Sequence, residues 1–192
     1  MLNEIILKTL GTVLVKRKED IIFNEGEKAR YYFQIKSGEV EMFNLSSEGK
    51  KYTQGIFTKG ESFGEPPLFT KSVYPASSIA KTKVVIWVVE KNLFLNYLTE
   101  EPKIQMKFIK MLATRLEYKA LMVKEVSLHT AEHRIRTLLK HFKLNLQEQI
   151  VPFTRKEMAE MCGLTVETVI REVKKLEKEG ILELQNRKIV LK

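Results

Sequence analysis

Between Thr154 and Gly180 the chain reads TRKEMAEMCGLTVETVIREVKKLEKEG, and this stretch leaves little freedom to the fold around it. Thr154 followed by Glu157 predicts a helix opened by a capping box, in which hydroxyl and carboxylate each satisfy an orphan backbone N–H. That helix is short, because Gly163 stands where a sharp turn needs a left-handed residue. Thr165 caps a second helix, on which Val169, Val173 and Leu176 recur at helical spacing and form one apolar face. Small Ala159 lets the two helices approach, and Leu164 plugs the corner. Two short helices joined through a glycine turn make a helix-turn-helix, whose second helix can enter a DNA major groove. The exposed start of that helix carries Val166, Glu167, Ile170 and Arg171. Arginine can donate two hydrogen bonds to guanine, and glutamate can accept one from cytosine.

The rest of the chain predicts two further kinds of structure. From about Thr12 to Val89, short apolar or alternating runs (Tyr31 to Ile35, Val40 to Phe43, Val84 to Val89) are separated by turn signals such as Asn24-Glu25-Gly26 and Ser37-Gly38. Strands at this spacing make a small sandwich or barrel. From Lys91 the pattern turns helical, with a short helix over Asn92–Thr99 and a long one from Pro102 to Val126. On the long helix Ile104, Phe108, Met111, Arg115, Tyr118 and Met122 follow gaps of 4, 3, 4, 3 and 4, the spacing of a coiled-coil seam. Ser127 to Thr130 is a candidate hinge, after which Ile135, Leu138, Leu139 and Phe142 form another apolar stripe. His133 and His141 are expected on that helix's solvated side. GILELQNRKIVLK then reads as two strands around Gln185-Asn186, a wing hairpin with Arg187 and Lys188 near its tip.

Several function classes lose support here. All three histidines follow the β region, so the strands hold no His–carboxylate set; no metal site is expected, and no enzyme. Cys162 is the single cysteine, which excludes an internal disulfide and an iron–sulfur cluster held by one chain's thiolates, and fits a cytoplasmic protein. No apolar run reaches the length of a membrane span, and the N-terminus lacks the layout of a signal peptide. The net charge of +9 favours a polyanionic partner. It is spread evenly: residues 129–192 carry 13 basic and 9 acidic side chains, so charge supports nucleic-acid binding only weakly.

GLTVETVIREVKKLEKEGIL resembles the recognition segment of the CRP/FNR family of transcription regulators, and GLTVET matches the fumarate-nitrate branch especially well. The resemblance implies that Glu167 and Arg171 read a shared G·C pair in a TGA-containing half-site. Val166 stands where the cyclic-AMP branch has an arginine and Ile170 where the fumarate-nitrate branch has a serine, which alters the reading outside that core. Thr165, Thr154, Arg155, Lys156, Arg187 and Lys188 are the accompanying candidates for DNA contact.

Asn24-Glu25-Gly26-Glu27, YYFQIKSGEVEMF and GESFGEPPLF are similar to the cyclic-nucleotide-binding β-roll of the same family. There Phe63, Gly64 and Glu65 would frame an effector, with backbone N–H groups near the glycine forming an anion nest. Nucleotide-binding members then place an arginine–serine pair against the cyclic phosphate, where this chain has Tyr74 and Pro75. Neither supplies a guanidinium, so cyclic AMP is disfavoured and another small effector, or none, is expected; Lys71 and Lys81 are the available cations. Lys119 and Ala120 replace the pair that contacts adenine. Arg115 either pairs with Glu65 or extends to solvent. About a helix's worth of residues that usually precedes the roll is expected to be missing.

The expected fold is α+β: a double-stranded β-roll over residues 1–98, a dimerisation helix and hinge over 99–128, and a winged helix-turn-helix over 129–192. Ile104, Phe108, Met111, Tyr118 and Met122 are the expected homodimer interface. Double-stranded DNA and a second copy of the chain are the expected partners, with RNA polymerase a further candidate and no membrane. The competing reading is a cyclic-nucleotide-binding-like regulatory module acting on a protein partner.

Overall fold

A computed structural model describes residues 1–145, 149–186 and 188–191. In chain order the elements are α1 (Glu4–Leu10), β1 (Gly11–Lys16), β2 (Ile21–Phe23), β3 (Tyr31–Ser37), β4 (Val40–Leu45), β5 (Lys51–Phe57) and β6 (Ser62–Phe63). There follow α2 (Pro66–Thr70), β7 (Ser77–Ala80), β8 (Val84–Glu90), α3 (Lys91–Glu100) and α4 (Pro102–Leu128). The chain continues with α5 (Ala131–Asn145), α6 (Arg155–Cys162), α7 (Val166–Lys178), β9 (Leu182–Gln185) and β10 (Lys188–Leu191). Residues Met1–Thr114 and Arg115–Lys192 form two compact units, and the boundary between them falls within α4.

In the first unit two four-stranded antiparallel sheets, ordered β1-β8-β3-β6 and β2-β7-β4-β5, build the β-roll. The central strand β8, VVIWVVE, is an almost unbroken apolar run because both of its faces are covered. Tyr32, Phe33, Ile35, Val84, Ile86 and Val89 fill the interior. Phe94 of α3 stacks on Tyr32 at 4.3 Å, and Phe108 of α4 meets both rings edge-on, at 5.7 Å from Tyr32 and 5.3 Å from Phe94.

A helix does precede the strands. Asn3 caps α1 by accepting from the Ile6 N–H, and Leu2 and Leu7 are buried. The Gln34 side chain brackets Leu2, accepting from its N–H and donating to its carbonyl, each at 3.1 Å. The signal was the Asn3 cap ahead of Ile6 and Leu7, which sequence reading left unassigned.

In the second unit the buried residues of α5 (Ile135, Leu138, Leu139, Phe142), of α6 (Met158, Ala159, Cys162) and of α7 (Val169, Val173, Leu176) share one core. Strands β9 and β10 pair as the wing hairpin behind α7 in sequence. Among the described residues, no helix is long and apolar enough to cross a membrane.

Candidate nucleic-acid interface and effector pocket

Both helix starts form as their residues dictate. The Thr154 hydroxyl accepts from Glu157 N–H at 3.2 Å while the Glu157 carboxylate accepts from Thr154 N–H at 2.7 Å, the two halves of a capping box. Gly163 ends α6 at φ 64°, in the left-handed region, and Thr165 accepts from Thr168 N–H to open α7. With Val169, Val173 and Leu176 turned inward, Thr165, Glu167, Ile170 and Arg171 are exposed and Val166 is half-buried. The Arg171 Nε–H donates to the buried Glu172 carboxylate at 3.0 Å, which leaves the Nη groups to donate outward.

Lys174 and Lys178 are also exposed, at helical spacing beyond Arg171. Sequence reading missed both, although the three- and four-residue steps from Arg171 were there to find. Thr154, Lys156 and Lys188 are exposed, and Arg155 is half-buried. Arg187 lies outside the described residues. A cluster of charges ties α5 to α7: Glu132 accepts from Lys175 at 2.5 Å and from Arg136 at 2.9 Å, and Arg136 also pairs with Glu179.

In the roll, Phe63, Gly64 and Glu65 are buried together, and the Glu65 carboxylate accepts a hydrogen bond from the Ser62 hydroxyl. Tyr74 is only 3 % exposed and lies flat on Phe23, with ring centroids 3.8 Å apart. Burial, and then the nearby Glu27 carboxylate, push the Tyr74 phenol up to about 12. Gly64 has φ 72°, and a Cβ there would lie 3.0 Å from Phe23 Cζ and 3.3 Å from Tyr74 Cε1. The two rings therefore cover Gly64. Pro75 is exposed. Lys81 is held 3.2 Å from Glu39, and Lys71 is exposed. A recess of 330 Å³ is lined by Ile22, Phe23, Lys28, Arg30, Phe33 and Tyr74 among others, and does not extend to Gly64 or Glu65.

The long helix calls for correction. Phe108 and Met122 are buried within the chain, and Ile104 and Met111 pack against the roll's core. Tyr118 stacks on His141 at 4.0 Å. That face is therefore covered by the chain itself. The open apolar face of α4 is another stripe, Met106, Ile109, Ala113, Leu116, Ala120 and Val123, with gaps of 3, 4, 3, 4 and 3. Both stripes satisfy the same heptad rule, and spacing alone cannot say which one the chain buries. Arg115 is half-buried; desolvation, and then Arg115, lower the Lys119 ammonium from its ordinary value. Glu65 belongs to the first unit and Arg115 to the second. His141 is not on a solvated face: burial lowers its imidazole from the ordinary value.

Residues 14–101 match the family model of the cyclic nucleotide-binding domain, and residues 133–192 match that of the Crp-like helix-turn-helix domain. A sensor-type β-roll joined to a DNA-binding helix-turn-helix defines the class: a transcription regulator, which is not a class of enzyme. The chain belongs to the CRP/FNR family. It is 25% identical to the anaerobic regulatory protein of Bacillus subtilis, over 97% of this chain and 82% of that protein. It is 26% identical to the cyclic AMP receptor protein of Thermus thermophilus, over 85% of this chain and 76% of that one. The structure of FixK2 from Bradyrhizobium japonicum shares the fold with a TM-score of 0.82 at 24% identity, covering 95% of this chain and 93% of that chain.

Proposed function

We infer that the chain works in the cytoplasm as a homodimer that reads a palindromic DNA site with two TGA-containing half-sites. Glu167 and Arg171 share a G·C pair in each half-site, and Val166 and Ile170 face the bases beside it. Thr154, Arg155, Lys156, Thr165, Lys188 and Arg187 are assigned to the sugar–phosphate backbone, which sets register without reading sequence. The observation that carries this reading is the outward face of α7, where Glu167, Ile170, Arg171 and Lys174 stand exposed while Val169, Val173 and Leu176 are buried on the other side.

The dimer closes through Met106, Ile109, Ala113, Leu116, Ala120 and Val123, an apolar heptad stripe left open by the single chain. Residues 1–98 form the sensor, 99–128 the dimerisation helix and hinge, and 129–192 the DNA-binding domain. The sensor does not take a cyclic nucleotide at Gly64, because Phe23 and Tyr74 cover that glycine and no arginine stands at Tyr74 or Pro75. A different effector, or none, acts there, and a Glu65–Arg115 pair would carry its signal to α4. RNA polymerase is the downstream partner.

The test is fluorescence anisotropy with a palindromic TGA duplex against a scrambled duplex, across a salt series. Selective, salt-sensitive binding that cyclic AMP leaves unchanged is the expected result. Arg171→Ala should cost about 1–3 kcal/mol and relax preference at one base pair. Lys174→Ala should weaken all sequences alike and reduce the salt slope by about 1. Equal loss on every sequence for Arg171→Ala removes its base-reading role, and no selectivity in the parent chain moves the function to a protein partner.

A further inference from the structure

We propose that Glu125, His129 and His133 form a binding site for a divalent first-row transition-metal cation, with zinc the best match, at the joint between α4 and α5. Their ligand atoms all lie within 4.8 Å of one another. Glu125 Oε2 and His133 Nε2 are 3.3 Å apart. Metal–ligand bonds of about 2.0–2.1 Å in tetrahedral geometry put neighbouring ligand atoms about 3.3 Å apart. The imidazoles of His129 and His133 are stacked, with centroids separated by 4.2 Å and planes 30° apart.

The backbone holds this arrangement across a break in the helix. Glu125 is in the last turn of α4, His129 in the two-residue link, and His133 in the first turn of α5. His129 N–H still donates to the Glu125 carbonyl at 3.2 Å, and Arg134 Nε–H donates to the His129 carbonyl at 3.1 Å. Steps of four residues therefore keep the three side chains on one face although the helix is interrupted.

A second observation points to a ligand. The Glu125 side chain is only 4 % exposed, and among the described residues its Oε2 has no hydrogen-bond partner. Its 3.3 Å approach to His133 lacks hydrogen-bond geometry. A buried carboxylate oxygen without a hydrogen bond is costly, and a cation at the common point of the three ligands would satisfy it. Two imidazoles and one carboxylate suit zinc, cobalt or nickel rather than calcium or magnesium, which take all-oxygen sets. The His133 side chain is 50 % exposed, so water can reach the fourth position and the ion has a way in. Sequence reading expected no metal because it looked for ligands on the strands. A bound ion would pin the joint that leads into the DNA-binding helices.

Cobalt(II) titrated into tag-free full-length protein is the test, followed by visible absorption and displacement with zinc. One cobalt per chain is expected, with the intense visible bands of a four-coordinate site that zinc abolishes. His129→Ala, His133→Ala and Glu125→Gln should each weaken binding by about 10-fold or more, on the scale of losses at metal sites. His141→Ala, the control for incidental imidazole binding, should change nothing. Zinc should raise the melting temperature of the parent but not of the His129→Ala/His133→Ala double variant, whose fold circular dichroism checks. Two results would overturn the site: no saturable visible absorption in the parent chain, or a parent-like cobalt spectrum and affinity in the double variant.

Discussion

Phe23 and Tyr74, 51 positions apart in the chain, lie face to face with centroids 3.8 Å apart, over Gly64. The contact joins β2 to the segment that leads into β7, and it covers Gly64. Gly64 answers to two constraints at once, its positive φ and the rings above it. Gly64→Ala should therefore destabilise the roll by about 1–3 kcal/mol, the usual cost of such backbone strain. Urea denaturation followed by tryptophan fluorescence measures it. A neutral outcome would mean that the rings move aside easily and that the cradle can open.

The two faces of α4 should respond differently to substitution. Leu116 is 67 % exposed, so Leu116→Glu should leave the fold intact and halve the particle mass in light scattering. Phe108→Ala should instead lower stability by about 3–5 kcal/mol, as large-to-small changes of a buried ring do. If Leu116→Glu remains dimeric, the seam assignment is wrong.

Acid should loosen the α5–α7 clasp. Hydrogen bonds from Lys175 and then Arg136 hold the Glu132 carboxyl below its ordinary value of 4.5. A lowered folded value means that the stabilising contribution is fully present above the unfolded value. It is lost as pH falls below 4.5 and through the folded value. Glu132→Gln should thus bring the variant and parent stability curves together at the acid end and leave them apart near neutrality. Thermal melts at a series of pH values supply the comparison, and a constant gap at every pH would contradict the clasp.

Cys162 should be silent toward thiol reagents in the native protein. It is fully buried, and that burial pushes its thiol up to about 12. A disulfide reagent at pH 8 should label no thiol natively and one per chain in denaturant. Rapid native labelling would show that α6 opens readily.

What could be read in the sequence was what neighbouring residues decide. Thr154 and Glu157, Gly163, and Thr165 determine the helix-turn-helix within a few positions of themselves, and they form as expected. The strands Tyr31–Ser37, Val40–Leu45 and Val84–Glu90 announced themselves by apolar runs between turns. The seam on α4 was not legible, because Phe108 and Ile109 both sit on heptad stripes and only the roll decides which one is buried. Nor was the covering of Gly64, which needs Phe23 and Tyr74 brought together from opposite ends of the roll's sequence. The joint histidines were legible in spacing alone, four residues apart from Glu125 and from each other, but a break in the helix hid that their faces coincide.

The edge-on seat of Phe108 against the stacked Tyr32 and Phe94 indexes the rotation of α4 about its own axis. Each residue of a helix advances roughly 100°, and the whole helix is about 10 Å across. Met106 and Ile109, on the open side, are thus geared to the aromatic floor of the roll through a single helix width. A rigid rotation of α4 that reseats Phe108 would turn Met106 and Ile109 by the same angle.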